Sequence, residues 1–287
     1  MLFDRYLVIM RGAGDLATGV AYRLNQAGFP LIALELAQPL VVRRRVSLAT
    51  AVLEGAVTVE GLTGRRCDTF AEALDLAQTG IIPILVSPDL SANLLSLIPS
   101  TQSPTPDPRP LILIDCRMAK RNIDTRKDQA DLVVALGPGF SAGFDCHAVV
   151  ETMRGHRLGR VLWNGSAMPN TGTPETIAGK GAQRVLRAPA KGTVEWCQEI
   201  GDRVREGQYL GSVAGQPLMA PFDGVIRGLI APGMDVPAGL KIGDIDARAD
   251  VSACFSISDK SLAIGGGVLE AILSWLNGRG ETIRVTG

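Results

Sequence analysis

The sequence predicts an α/β fold in which a parallel-sheet domain is followed by a small all-β module. Short apolar segments alternate with segments of helical spacing over residues 6–97, a pattern typical of strands and helices in turn. A glycine-rich turn follows the first apolar segment, and an internal repeat occupies residues 188–239. Because strands that alternate with helices favour βαβ units, we expect a parallel sheet in the first part.

The composition excludes several classes of protein. The chain has 287 residues, enough for about two domains, and its formal net charge of +0 is unlike that of a dedicated nucleic-acid binder. A hydrophobic fraction of 46% argues against disorder of the whole chain. The 5 cysteines form no C-x-x-C pair, and no signal peptide or long apolar span is evident. We therefore expect a cytoplasmic protein with no membrane segment and no nucleic-acid partner, and leave open whether it is a homo-oligomer.

The periodicity assigns elements along the chain. Strands are predicted at 6–10, 31–36, 57–59, 81–86, 111–115 and 132–136, and helices at 15–27, 69–78 and 88–97. The proline-rich segment 99–110 cannot pair in a central strand and is predicted to be a surface loop. We expect an α/β domain over 1–186, the repeat module over 187–246, and a C-terminal segment over 247–287 that packs back on the α/β domain.

Two copies of one pattern make up the repeat module. The copies are related by a constant offset, so that Ala188 and Gly192 correspond to Ala220 and Gly224. The pattern of short strands and turn glycines resembles the barrel-sandwich hybrid of biotinyl and lipoyl carrier domains. The stretch 213–219 between the copies contains no lysine. We therefore expect no covalent biotin or lipoyl group, and a structural module or docking surface instead.

The first glycine turn has the context of a dinucleotide fingerprint. Gly12 permits a tight turn, Gly14 permits close approach of a pyrophosphate, and Ala17 permits close packing of the helix that follows. Glu35 ends the second predicted strand, where it is placed to accept hydrogen bonds from ribose hydroxyls. The α/β domain is therefore predicted to be a Rossmann-like nucleotide-binding domain, with a tight turn without a ligand as the alternative. The predicted cofactor-binding residues here are Gly12, Gly14, Asp15, Leu16, Ala17 and Glu35.

Further candidates follow the later strands, because ligands of α/β sheets bind outside the carboxyl ends of strands. Asp115, Arg117 and Lys120 follow one strand and are either a catalytic cluster or a surface ion-pair turn. The glycines that follow the next strand form either an anion nest or a plain loop, and they are Gly137, Gly139 and Gly143.

Both histidines of the chain lie shortly after that loop. His147 and Glu151 are spaced to share a helix face, which would suit an acid/base pair, whereas no third metal ligand is evident and no metal is predicted. Arg43–Arg45 is either a solvated face or an anion contact. Gly265–Gly267 either cradles a phosphate or packs closely on another element.

Taken together, blocks along nearly the whole chain resemble the YqeB family of the selenium-dependent molybdenum hydroxylase system. The blocks are 12–19, 115–120, 136–143, 147–152, 154–156, 158–160, 170–172, 257–260 and 264–272. The resemblance implies an accessory role in maturing a molybdenum hydroxylase, beside XdhC-like proteins that handle molybdenum cofactor. Cys116 stands where that family is expected to have a small residue.

Three hypotheses follow for the function. The first is a maturation factor that binds a dinucleotide or a molybdopterin-type cofactor and meets the hydroxylase and other maturation proteins as partners. The second is a NAD(P)-dependent oxidoreductase with His147 or Lys120 as proton donor, and the third is a scaffold that docks a partner enzyme through the repeat module. Whether any reaction is catalysed is left open. Cys116 and Cys146 are expected to be buried inert thiols, with a persulfide carrier as the alternative.

Overall fold

The computed structural model describes residues 1–87, 109–172 and 179–279. The predicted helix 88–97 lies outside the described residues, as does most of the predicted proline-rich loop 99–110. The described chain divides into two compact units. The larger unit comprises Met1–Pro39, Leu48–Asn170 and Ile257–Gly287, and the smaller comprises Leu40–Ser47 and Thr171–Ser256. These bounds differ from the predicted ones, since the smaller unit also takes in Leu40–Ser47 and the residues before 187.

The larger unit is built on a sheet of nine strands with four α-helices around it in the described chain. The strands are β1 (Leu7–Arg11), β2 (Leu31–Glu35), β3 (Ala56–Val59), β4 (Leu62–Cys67), β5 (Ile82–Val86), β6 (Leu111–Asp115), β7 (Leu132–Leu136), β9 (Ala148–Val150) and β10 (Val161–Leu162). The helices are α1 (Asp15–Ala27), α2 (Ala51–Glu54), α3 (Phe70–Ala77) and α4 (Asp259–Gly278). A separate two-stranded ribbon pairs β8 (Ser141–Ala142) with β11 (Gly165–Ser166).

The order across the large sheet is β10-β9-β7-β6-β1-β2-β5-β4-β3. Neighbours from β9 to β4 are parallel, whereas β3 and β10 at the two ends are antiparallel to their neighbours. Both end strands are joined to their neighbours by hairpins, and a hairpin imposes antiparallel pairing. The prediction of an all-parallel sheet was therefore wrong, because the sheet is mixed.

The crossovers also depart from the predicted Rossmann-like arrangement. Helix α1 joins β1 to β2 and α3 joins β4 to β5, but the chain passes from β6 to β7 and from β7 to β9 without an α-helix among these described residues. A doubly wound fold needs crossover helices on both faces of the sheet. The Rossmann-like fold class is corrected on this ground.

Helix α4 packs against α1 through glycines. A side chain at Gly19 would overlap the main chain of Ser261, and one at Gly265 would overlap the main chain of Gly19. The run Gly265–Gly267 lies inside α4 rather than at its start, so its glycines allow close helix packing and the phosphate-cradle hypothesis was wrong. The side chain of Ser258 caps the helix by accepting the N–H of Ser261 at 3.1 Å.

The smaller unit contains two antiparallel sheets of four strands each, in the orders β12-β19-β17-β14 and β16-β15-β13-β18. The strands are β12 (Val185–Arg187), β13 (Gly192–Trp196), β14 (Arg203–Val204), β15 (Tyr209–Val213), β16 (Gln216–Met219), β17 (Gly224–Leu229), β18 (Asp235–Val236) and β19 (Lys241–Asp246). The repeat is visible, since β13 of one copy pairs with β18 of the other and β14 pairs with β17.

The predicted self-contained barrel-sandwich module is nevertheless corrected. Strand β12, which begins before the predicted boundary, pairs with β19 and completes one sheet. The segment Leu40–Ser47 belongs to this unit as well, where Arg43 forms a bridge with Leu229 of β17. The core of the unit is formed by residues between Leu186 and Cys254, so residues on both sides of the repeat complete it.

Candidate functional site

A cluster of charged side chains lies where two central strands of the larger unit end. Arg11 at the end of β1 and Asp115 at the end of β6 are register partners on neighbouring parallel strands. Both are buried, with relative exposures of 2% and 1%. Since charged side chains are rarely buried unless paired, the ends of these strands require partners close by.

The partners come from the loop that follows β6. Arg117 Nη2 lies 2.6 Å from Asp115 Oδ2 and 2.7 Å from Asp124 Oδ1, and Arg11 Nη1 lies 2.7 Å from the same oxygen of Asp124. The hydroxyl of Thr125 donates to Asp115 Oδ2 at 2.6 Å. The two guanidinium and two carboxylate charges therefore cancel within a closed network that fixes both ends of the loop.

The pKa values respond to this arrangement. Burial and the charge of Arg117 lower the pKa of Arg11. Burial of Arg117 alone would lower its pKa, but the hydrogen bonds and charges of Asp115 and Asp124 outweigh that effect and raise it. Burial of Asp124 is likewise outweighed, because hydrogen bonds and charges from Arg117 and Arg11 lower its pKa. The network thus stabilises the charged forms of Arg117 and Asp124, whereas burial and Arg117 disfavour that of Arg11.

The loop between the fixed ends has a strained backbone. Met118 and Lys120 adopt φ values of 54° and 61°, the left-handed region that residues with a side chain seldom occupy. Lys120 and Arg121 are exposed, and no ion pair of either occurs among the described residues. The loop backbone packs against its neighbours, since a side chain at Gly12 would crowd Cys116 and one at Gly139 would overlap the main chain of Arg121.

The glycine turn after β1 already holds an acidic side chain. Glu35 Oε2 accepts the main-chain N–H of Ala13 at 2.8 Å, and Glu35 Oε1 accepts that of Leu36 at 2.8 Å. Gly12 has a φ of 95°, as the tight turn requires. In a dinucleotide complex the N–H of Ala13 would face the pyrophosphate and the carboxylate of Glu35 would bind a ribose. Here these two groups are bonded to each other instead. These residues do not fit a dinucleotide in its usual pose, and the cofactor expectation stays a prediction.

The start of α1 lies directly after this turn. Gly14 occupies the N-cap position. Because glycine has no side chain, it cannot accept hydrogen bonds from the first amides of the helix as a capping residue would. Asp15, Leu16 and Ala17 form the first turn, with Ala17 buried against the sheet as the predicted packing requires. A helix start of this kind favours negative charge.

The glycines after β7 differ in their environments. Gly137, with a φ of 73°, lies against the side chain of Thr152, and its N–H donates to Val150 at 2.9 Å. The N–H of Gly143 donates to Cys146 at 2.8 Å. Two of the three glycine amides that the nest prediction invoked are therefore bonded within the protein. Gly139 has a φ of 103°, and its lack of a side chain allows the main chain of Arg121 to approach closely.

His147 and Glu151 do not form the predicted pair on a helix. They flank strand β9, so their Cα atoms are separated by roughly four strand residues, on the order of 13 Å. His147 Nδ1 accepts the N–H of Val133 at 2.9 Å, and burial together with Lys127 lowers the pKa of the imidazole. The carboxylate of Glu151 accepts the N–H groups of Met153 and Met168 at 2.7 and 2.8 Å. Both side chains are thus used to hold the main chain.

The two candidate thiols are buried. Burial and the charge of Asp115 raise the pKa of Cys116 well above its ordinary value, and burial together with Asp145 raises the pKa of Cys146 to about 12. A thiolate is the reactive form of cysteine, so these environments disfavour reaction. In the described chain, no group of three or more His, Cys, Asp or Glu side chains is placed to hold a metal ion. No helix in the described ranges is long and apolar enough to cross a membrane.

The structure adds residues that the sequence analysis missed. Arg11, Asp124 and Thr125 complete the network around Asp115 and Arg117, and only Arg11, a cation ending an apolar strand, gave a signal in the sequence. The hairpin between β9 and β10 adds exposed cations at the same edge, Arg157 and Arg160. Its Arg154 is paired to Asp259 of α4 by two hydrogen bonds of 2.6 and 2.8 Å.

The fold and this edge define an α/β protein with a mixed sheet, a charged network at its carboxyl edge and a separate β-rich unit. No family model matches the chain. The chain is 46% identical over 267 residues to the uncharacterized protein YqeB of Escherichia coli strain K12, an alignment covering 93% of this chain and 47% of that protein. The relative supports the resemblance to the YqeB family, and the chain spans about half of its length.

Two solved structures were also matched. A succinylglutamate desuccinylase/aspartoacylase from Rhodobacter sphaeroides is 15% identical with a TM-score of 0.22, over 83% of this chain and 51% of that one. An aspartoacylase family protein from Mesorhizobium loti is 11% identical with a TM-score of 0.27, over 84% of each chain. TM-scores this low do not show a shared fold, so these two structures indicate nothing about the fold or activity of this chain.

These findings correct the predicted function. The name of the E. coli relative assigns no activity and does not refer to molybdenum cofactor. The role in molybdenum hydroxylase maturation is therefore withdrawn. The oxidoreductase hypothesis is withdrawn with it, because the glycine turn is bonded to Glu35 and does not fit a dinucleotide in its usual pose. The scaffold hypothesis gains nothing from these comparisons and is withdrawn as well.

Proposed function

We propose that the carboxyl edge of the large sheet binds a small molecule through a carboxylate or phosphate group. The binding residues are Lys120 and Arg121 on the loop after β6, together with the start of α1 at Gly14. The observation that carries the proposal is the left-handed backbone at Met118 and Lys120, which holds an exposed lysine in a fixed, strained position.

Strain of this kind is informative because it must be maintained by the surrounding structure. Each left-handed residue with a side chain costs on the order of 1–3 kcal/mol, and such residues cluster at ligand sites. The network of Asp115, Arg117 and Asp124 closes the loop on both sides of the strained residues. A loop with only a connecting role could relax into an unstrained conformation.

The electrostatics of the edge favour an anion. Arg11 and Arg117 are neutralised by Asp115 and Asp124, so Lys120 and Arg121 are the exposed cations that this loop offers to a ligand. The start of α1 lies beside this loop, because Gly12 and Cys116 are close together. Its partial positive charge favours an anion, although the carboxylate of Asp15 in the first turn offsets part of it. An oxyanion bound at this edge would lie near the cationic side chains of Lys120 and Arg121 on the loop and near the start of α1.

Isothermal titration of the full chain with phosphate, pyrophosphate and succinate tests the proposal. We expect Lys120→Gln to weaken the best of these ligands by about tenfold, the loss of roughly one charge-assisted hydrogen bond. Lys127→Gln is the matched control, because Lys127 is also exposed but lies beside His147, at the opposite edge of the sheet.

A second variant addresses the helix start without disturbing the loop. Gly14→Asp supplies a good N-cap residue, so we expect an unchanged or slightly higher unfolding temperature. The added negative charge should nevertheless weaken anion binding at least as much as Lys120→Gln does. Equal affinities in the native protein and in both variants, or no binding of any probe, would disprove the proposed function.

A further inference from the structure

Arg227 of the smaller unit is a buried cation with no hydrogen bond from its Nε among the described residues and only a long ion pair. It lies in β17 at a register shift between Ile226 and Gly228, and its relative exposure is 8%. The Nε atom is buried and has no hydrogen-bond partner among the described residues. Its ion pair is a long one, with 3.9 Å between Nε and Asp246 Oδ2.

The carboxylate of Asp246 is already committed to another residue. Arg248 donates to it through Nη2 at 2.6 Å and through Nε at 3.0 Å, and the main-chain N–H of Arg248 donates at 3.0 Å. Burial of Asp246 would raise its pKa, but these bonds and the charge of Arg227 outweigh burial and lower it. The carboxylate of Asp246 thus lies near the guanidinium groups of Arg227 and Arg248 but forms hydrogen bonds only to Arg248.

The neighbouring carboxylate of the same strand does not supply the missing charge. Asp244 lies two residues before Asp246 on β19, and its Oδ2 lies 3.0 Å from Arg184 Nη2. Both members of this pair are buried, at 2% and 8% exposure. Asp244 therefore bonds Arg184 and Asp246 bonds Arg248, which leaves Arg227 only the 3.9 Å contact with Asp246.

Leaving a guanidinium buried without a full partner is costly, so such groups are normally paired or bound to a ligand. Arginine presents donors in a planar fork that fits a carboxylate or a phosphate with two parallel bonds. We propose that Arg227 is the central group of a second anion site, which binds one carboxylate or phosphate group in the smaller unit. This site is independent of the loop at Lys120.

The test uses the full chain carrying Lys120→Gln, so that the edge site does not contribute. Thermal unfolding is followed at constant ionic strength in chloride and in phosphate. We expect phosphate to raise the unfolding temperature by about 2–4 °C, as ligand binding to the native state does. The rise should vanish on adding Arg227→Met and persist on adding Arg205→Met, since Arg205 is an exposed arginine of the same unit.

The chloride arm gives an independent reading. Without an anion, Arg227→Met removes a buried charge whose Nε has no hydrogen-bond partner among the described residues, so the variant should unfold at the same or a higher temperature than its parent. A merely structural arginine would instead lower the unfolding temperature on substitution and leave the effect of phosphate unchanged. That pair of results would overturn the proposal.

Phosphate and a carboxylate of another protein share the chemistry that Arg227 recognises. Calorimetry with inorganic phosphate and with a hexaglutamate peptide distinguishes these sources in the same Lys120→Gln background. Saturable binding of phosphate that Arg227→Met abolishes identifies a free anion as the ligand, and binding of the peptide alone identifies an acidic segment of a partner. Binding of neither, or equal binding to the Arg227→Met variant, rejects the site.

Discussion

The carboxylate of Glu35 accepts the main-chain N–H of Ala13 at 2.8 Å, so the glycine turn after β1 is bound to an anion of the protein itself. The same carboxylate accepts the N–H of Leu36, which ties the end of β2 to the turn. This bond explains why a turn with the spacing of a dinucleotide fingerprint does not present the groups that a dinucleotide needs. It also places a negative charge beside the proposed anion site.

Replacing Glu35 by alanine should therefore have two opposite effects. The N–H of Ala13 loses its partner, and we expect the free energy of unfolding to fall by about 1–2 kcal/mol in urea denaturation. Removal of the negative charge should at the same time strengthen phosphate binding by a few fold in calorimetry. Glu54→Ala, at an exposed position of α2, is the control and should change neither quantity. Weaker binding in Glu35→Ala would show that Glu35 orders the site.

The network at the carboxyl edge predicts a large loss of stability on removal of Asp115. Asp115→Ala leaves Arg117 and the buried Arg11 with only Asp124, which is partly exposed. Removing one member of a buried pair costs about 3–5 kcal/mol, and we expect a loss of that size in urea denaturation. Asp128→Ala breaks an exposed pair with Arg126 and should cost about 0–1 kcal/mol. Equal losses would contradict a structural role for the network.

The environment of His147 predicts that the free energy of unfolding depends on pH. Burial and Lys127 lower the pKa of the folded imidazole, although Asp131 opposes them, so the unfolded chain takes up the proton first as the pH falls. The stabilising contribution of neutral His147 is complete above the ordinary pKa of about 6.5 and declines below it. Protonation also removes the acceptor that binds the N–H of Val133.

Urea denaturation at several pH values between about 5 and 8 measures this dependence. His147→Gln should lose less stability on acidification than the native protein, because it has no group to protonate there. The exposed His156 provides the control, and His156→Gln should keep the native dependence. The same loss in His147→Gln as in the native protein would assign the acid sensitivity to other groups.

Local sequence patterns predict the positions of most elements described in the larger unit and the repeat of the smaller one. Apolar runs and helical spacing depend on local periodicity, and β1, β2, β5, β6 and β7 lie within a residue of the predicted ranges. The cluster of Asp115 and Arg117 was visible as charges at the end of an apolar strand. The segment of His147 and Glu151 was misassigned because a short apolar run fits a strand and a helix equally well.

How these elements pair and which side chains they bring together depends on the packing of the whole chain. Strand direction at the sheet ends, the membership of Leu40–Ser47 in the smaller unit and the long ion pair of Arg227 all depend on contacts between residues far apart in the chain. The same holds for Glu35, whose spacing from the glycine turn predicts a ligand contact but whose carboxylate binds the turn itself. Periodicity records which face of an element is buried, whereas the partner of a buried polar group is set by the packing of the whole chain.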